Sequence, residues 1–403
     1  MNKKIAVIFP TGRKTVHNVV AMLVDNMGRY KNDPKNVNVY VSFDPTFYNL
    51  SPDDFMFDKD LEKAFRSVTY LGPGDDGGLS EHTKKNITDH AYDILFKPRG
   101  YCTLKNRATV NAIMDGNDAI MLFDDDEYFV APKRKGNGLE WMHQNVFGYH
   151  MDNIFEADIT NGAHTGYFSP VPSEIENELE KGLREKLGRI LSYGSEIINE
   201  KTFMNTRECI NYADNNFLKN SPYPVEEVNG IKFLTGGNIA LNVQSILSGK
   251  IPPYFNPKGA RGEDAIMGMQ LKNSLVLKIP TYTFHDPFQK YVDITKGKFP
   301  ESVDPIAVIP GTVDRFANAV VGWVKYAPFL IRMTSSSEDE YRGRINAMKS
   351  ELGDVGKEMS KVLSNNSLAM LGGILDEADE KSYSDLEDLN IAKNAWEKII
   401  KNI

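Results

Sequence analysis

The chain is nearly without cysteine. Cys102 and Cys209 are the only two in 403 residues; they cannot form a disulfide framework and match neither a zinc nor a redox spacing, so a reducing, cytoplasmic setting is the simplest expectation. Long apolar runs are absent too. The opening MNKKIAVIFPTG begins like a signal peptide, but its apolar stretch, Ile5 to Phe9, stops at Pro10, too short for a signal core or a membrane span. It reads instead as a first buried strand. Basic charge is scarce: 47 Lys and Arg face 55 Asp and Glu, a formal charge of −8. That argues against nucleic acid or an anionic membrane, which are held by basic patches, and the basic clusters present are short, such as Lys133-Arg134-Lys135.

What remains is an ordinary globular composition, 41% hydrophobic and 25% charged, with room for one large core and an accessory unit. Short apolar runs alternate with helix-compatible stretches in the N-terminal third, the pattern of βαβ units around a mostly parallel sheet flanked by helices. The strands expected there are Ile5 to Phe9, Val37 to Phe43, Tyr92 to Phe96 and Ala119 to Phe123. LGPGDDGGLSEH, residues 71–82, reads as a glycine-rich connection. From Pro172 to about Asn216, Glu, Lys and Leu at helical spacing predict helices laid over the sheet. Strand-like pieces return at Ile231 to Leu234 and Leu275 to Ile279. After FPESVDPIAVIPG, residues 299–311, the composition shifts toward Ala, Met, Lys and Glu, which divides the chain into a domain over 1–310 and a helical accessory domain over 311–403.

IMLFDDDEYFV, residues 120–130, sets four mutually repelling acids after an apolar strand. On an extended segment Asp124 and Asp126 project to one side and Asp125 to the other. They fall at the carboxyl end of the strand, where open α/β sheets bind ligands. Two carboxylates converging there suit a hard divalent cation that also takes phosphate oxygens; taken alone, the segment could equally be a solvated turn or a helix N-terminus. In LTGGNIALN, residues 234–242, Gly236 and Gly237 allow backbone N–H groups to approach a sugar or phosphate, or simply make a turn. RGEDAIMGMQL, residues 261–271, sets Glu263 and Asp264 at the start of a helix. His285, in PTYTFHDPF, is an imidazole suited to Mn²⁺ in a mixed oxygen and nitrogen shell. Tyr128, Trp141, Tyr167 and Phe168 could stack on sugar faces or pack in the core.

Taken in order, these segments resemble the nucleotide-sugar glycosyltransferases of the GT-A fold, in particular the large family two. In KNRATVNAIMDGNDAIMLFDDDEYF, residues 105–129, Lys105, Asn106, Ala108, Gly116, Phe123 and the Asp-x-Asp pair Asp124 and Asp126 fall at the matching places. KIAVIFPTGRK looks like that family's first strand ending in Pro-Thr, and Asp44 closes the second. The resemblance covers roughly residues 1–290 and says nothing about the tail. It implies a GT-A (Rossmann-like) α/β fold in which Pro10, Thr11, Arg13, Asp44, Lys105, Asn106, Asp124, Gly236 and Gly237 bind a UDP- or GDP-linked sugar donor. Asp124, Asp126 and His285 would hold Mn²⁺ or Mg²⁺, and Asp264 or Glu263 would take the proton of an acceptor hydroxyl on a glycan or other glycoconjugate. The implied activity is metal-dependent hexosyl or N-acetylhexosaminyl transfer of the kind used in polysaccharide biosynthesis, with inverting and retaining outcomes both open. A sugar nucleotidyltransferase ranks second, because PTGRKTVHN carries only Gly12 where a triphosphate loop would be glycine-rich. A third reading is a non-catalytic scaffold assembling through its helical tail, the segment that would also serve homo-oligomerisation or peripheral membrane contact.

Overall fold

The structure, a computed structural model, describes every residue except 1–2, 75–78, 80–82, 84, 98–99, 137, 168–169, 196–197, 207–209 and 229. Most of the glycine-rich connection, together with Phe168 and Cys209, lies outside the described residues.

The first strand, β1 (Ile5–Thr11), is buried along its whole length, as a strand covered on both faces must be. Its residues alternate between two layers: Ala6 and Ile8 join one core cluster, Ile5, Val7 and Phe9 the other. β1 lies parallel between β2 (Val37–Phe43) and β4 (Ala119–Leu122), and β3 (Ser67–Leu71) pairs parallel outside β2. Beyond β4 the sheet continues through further strands, among them β5 (Glu127–Tyr128), β6 (Ile159–Tyr167) and the antiparallel β7 (Ile239–Asn242), which pairs with both β4 and β6; β5 joins the sheet through β8 (Val276–His285). β8 runs parallel to β6, giving the main order β3-β2-β1-β4-β7-β6-β8. The pairing of β5 with β8 sets Glu127 opposite His285.

Helix α1 (Val16–Arg29) covers one face with Val16, Val19, Val20, Leu23 and Met27, the three- and four-residue spacing of an amphipathic helix. Helix α2 (Tyr101–Met114) is buried almost throughout and lies against β1 and β2 on the opposite face. Tyr92 to Phe96, expected as a strand, is instead the end of a helix over Asp89–Phe96. Thr88 caps it by accepting from the Ala91 N–H, and Ala91, Tyr92, Leu95 and Phe96 recur at helical spacing. The third parallel strand is β3, whose half-exposed residues carry only a weak apolar signal.

In the middle section only α3 (Lys181–Ser192) is a long helix; Ile175–Glu178 and Asn215–Lys219 are single turns. A later helix, α4 (Glu263–Gln270), starts at Gly262. The tail consists of α5 (Pro310–Thr334), which starts on the proline, α6 (Glu338–Leu363), capped by Ser337, and α7 (Leu371–Lys401). It is not segregated from the sheet. Leu389, Ala392, Trp396 and Ile399 of α7 sit in the same cluster as Ile8 and Leu122, while α5 and α6 share a cluster with Leu183, Leu187 and Ile190 of α3. No described helix is long and apolar enough to cross a membrane.

Candidate active site

The four acids leave β4 in a turn, with the Glu127 N–H donating to the Asp124 carbonyl. Because the chain turns there, the alternation expected of an extended segment does not hold, and Asp125 and Asp126 share one partner. Arg13 Nη1 donates to Asp125 Oδ1 at 2.8 Å and to Asp126 Oδ2 at 2.6 Å. Thr11, at the end of β1, donates its hydroxyl to Asp125 Oδ2 at 2.5 Å. Burial acts to raise the pKa of Asp126, but Arg13 and then His285 outweigh it and hold that carboxyl at about 2.

The other oxygen of Asp126, Oδ1, faces His285 Nε2 at 3.8 Å. His285 Nδ1 lies 2.8 Å from the Tyr167 carbonyl oxygen. A carbonyl can only accept, so Nδ1 carries the hydrogen and Nε2 of the neutral ring keeps its lone pair, directed toward Asp126. Two ligands 3.8 Å apart can share one divalent ion at bond lengths of about 2.1 Å. These side chains therefore fit the expected cation. Among the described residues no three His, Cys, Asp or Glu groups already stand as an ion-enclosing cluster, so the preformed part of the seat is this pair.

Asp124 faces the other way. Its Oδ2 lies 3.4 Å from where a Gly236 Cβ would stand, and Asp264 Oδ2 lies 3.0 Å from the same point. Gly236 thus leaves space in which two carboxylates approach each other. Gly237 does the same for Glu127, whose Oε1 would be 2.3 Å from an added Cβ. Burial drives the pKa of Asp124 well above the ordinary carboxylate range, against the pull of Lys105.

Lys105, from the second turn of α2, ends in this acidic pocket. Its ammonium donates to Asp264 Oδ1 at 3.2 Å and to the Gly236 carbonyl at 3.1 Å, and stands 3.5 Å from Glu263 Oε1. Glu263 Oε2 also accepts from Asn256 at 3.0 Å. The two acids at the start of α4 consequently differ. Burial opposes ionisation of both, yet Lys105 prevails at Glu263, whose pKa is lowered, whereas Asp264 is raised. Asp264 is the better proton acceptor of the two.

Other expected residues have partners close by. Asn106 is fully buried; its amide donates to the carbonyls of Leu95 and Tyr254 and its oxygen accepts from the Tyr254 N–H, so it anchors backbone. Asp44 accepts from the N–H and hydroxyl of Thr46, capping the turn Pro45–Phe47. Pro10 sits in β1 opposite Ser42 of β2. Tyr128 and Tyr167 are buried in the core, and Trp141 is half-buried with its indole N–H on the Pro300 carbonyl. Lys135 pairs with Glu140, and Arg134 lies over the Tyr212 ring. Cys102 is buried, and burial pushes its thiol up to about 12, so it stays protonated.

One pair escaped the sequence reading. Glu127 is fully buried with neither carboxylate oxygen in a hydrogen bond among the described residues, and His164 Nε2 lies 2.7 Å from Oε1 in off-axis contact. The His164 ring stacks on His285 at 5.5 Å. Burial pushes Glu127 up to about 8 and lowers His164 to about 4. Glu127 is visible in the sequence as the fourth acid; His164 gives no local signal, since only the pairing of β6 with β8 brings it there.

The strand order, the antiparallel strand inserted beside β4 and the carboxylates beyond the carboxyl ends of β1 and β4 define an α/β protein with a mostly parallel mixed sheet and an acidic rim. No family model matches the chain, and no curated protein matches it. Among solved structures it aligns with S. aureus TarS 1–349, alone, with UDP and with UDP-GlcNAc. The identities are 11%, 10% and 9% and the TM-scores 0.35, 0.35 and 0.36, over 98% of this chain and 90% of that chain.

Proposed function

We propose that the chain is a metal-dependent glycosyltransferase that moves a sugar from a UDP- or GDP-linked donor to a hydroxyl on a glycan or glycoconjugate. The observation that carries this reading is the meeting of three functions at one rim of the sheet. Asp126 and His285 form a cation seat, Asp124 lies between that seat and α4, and Asp264 is a carboxylate with raised proton affinity. The residues that would hold Mn²⁺ or Mg²⁺ are Asp126 and His285, with Asp124 turned toward the donor. A cation bound there would offset the charge that develops on the departing diphosphate.

The chain's own groups supply the rest. Lys105 fixes Asp264 by bonding Oδ1 and leaves Oδ2 at the open side of Gly236, placed to accept the proton of an attacking hydroxyl. Glu263, held by Asn256 and Lys105, serves to position the lysine. At the nucleotide end, Arg13 donates from Nε to the hydroxyl of half-exposed Tyr48 at 3.4 Å, and the half-exposed ring of Phe47 lies against Gly12. These rings offer a flat apolar surface for a base.

Isothermal titration with UDP- and GDP-sugars, with and without Mn²⁺, tests the reading on wild type and on Asp126→Ala/His285→Ala. Metal-dependent binding that disappears in the double variant is expected. Donor binding that ignores both metal and mutation would sink the cation seat.

A further inference from the structure

The sequence motifs shared with known transferases end near residue 290, yet one tail helix reaches the site. Along α5, Arg315, Ala319, Gly322 and Tyr326 recur three and four residues apart and so share a face. That face lies on the segment leading into α4. A Cβ on Gly322 would stand 2.6 Å from Arg261 Cγ, and one on Gly262 would stand 2.9 Å from the Tyr326 ring. Two turns before Gly322, the guanidinium of half-buried Arg315 stands over the Phe288 ring, 5.6 Å from its centroid. Phe288 meets Tyr167 edge-on at 5.7 Å, and it is the Tyr167 carbonyl that holds His285. Arg315 is therefore brought to the side of the site where Asp126 and His285 meet.

Its charge is poorly matched. Burial and then Arg13 lower the pKa of Arg315, Arg261 adds to that repulsion, and Tyr48 and Asp126 offset it in part. No described carboxylate forms an ion pair with Arg315, whereas Arg13 has two. Guanidinium groups close enough to repel one another favour an anion between them, and their planar fork matches phosphate oxygens. We propose that Arg315, supported by Arg261, binds the donor's diphosphate, so that α5 completes the donor site. This rests on the nucleotide-sugar reading above, because the phosphate chemistry is taken from that donor.

Isothermal titration on the full chain decides it, using UDP, GDP, inorganic pyrophosphate and uridine, each with Mn²⁺. Arg315→Ala should weaken UDP or GDP and pyrophosphate about ten-fold or more, leave uridine unchanged, and be partly restored by Arg315→Lys. Arg315→Gln serves the same comparison if the alanine loosens the helix. Phosphate affinities within two-fold of wild type, or an equal loss for uridine, overturn the assignment. If the wild type binds pyrophosphate but neither nucleotide, the donor reading falls while Arg315 is judged on pyrophosphate alone. If it binds none of them, both fall.

Discussion

Replacing Lys105 with methionine removes the cation on which three carboxylates depend. The side chain is almost wholly buried, and its ammonium lies 3.2 Å from Asp264 and 3.5 Å from Glu263. For Asp124, Glu263 and Asp264 alike, Lys105 is the strongest influence favouring the ionised form. Removing one partner from a buried ion pair leaves charge without compensation and typically costs about 3–5 kcal/mol; methionine keeps the apolar stem, so little of the loss is packing. The pH dependence has a definite sign. In wild type the pKa of Lys105 is raised by Asp264 and Glu263 despite burial. Its stabilisation is thus complete below the unfolded lysine pKa and is lost only in strong alkali. In the variant the orphaned carboxylates bind protons more tightly than in the unfolded chain, so the variant recovers stability as pH falls. Urea unfolding of both proteins at pH 8 and pH 5 should show a deficit at pH 8 that shrinks by about 2 kcal/mol at pH 5. A deficit below about 1 kcal/mol, or one equal at both pH values, would refute the ion-pair account.

The remaining predictions address the base, the glycines and the tail. Asp264→Asn should lower kcat about 10²- to 10⁴-fold with donor affinity little changed, and Glu263→Gln should cost less; steady-state kinetics with a competent acceptor will show whether that order is reversed. Gly237→Ala drives a methyl into the Glu127 carboxylate and should destabilise the fold by about 1–3 kcal/mol, measurable by thermal melting; a neutral effect would mean that Glu127 has room to move. Trp396→Ala opens a cavity in the cluster that includes Ile8 and Leu122 and should cost about 3–5 kcal/mol in a single cooperative transition. A separate low-temperature transition of the tail, with the sheet intact, would contradict the shared core.

Much of the frame could be read from local pattern. The continuous apolar run of β1, the helical spacing in α1 and α4, and the acids at the end of β4 are properties of short windows, because side-chain direction within an element depends only on its own geometry. Where the same reasoning failed, the competing signal was also local: the Thr88 cap made Tyr92 to Phe96 helical, and the turn after Leu122 cancelled the alternation expected of Asp124 to Asp126. The site's partnerships were a different matter. Arg13 meets Asp125 and Asp126 across more than 100 residues, Lys105 meets Asp264 across 159, and His285 reaches Asp126 only because β5 pairs with the end of β8. Such pairs follow from strand order and from which helix covers which face, set by burial of the whole core rather than by any window of sequence. The sequence by itself determined which chemistry was present, carboxylates after a buried strand with a histidine far downstream. Tertiary structure alone decided which carboxylate faces the histidine, which is tied to the lysine, and that a helix of the tail brings Arg315 to the same rim.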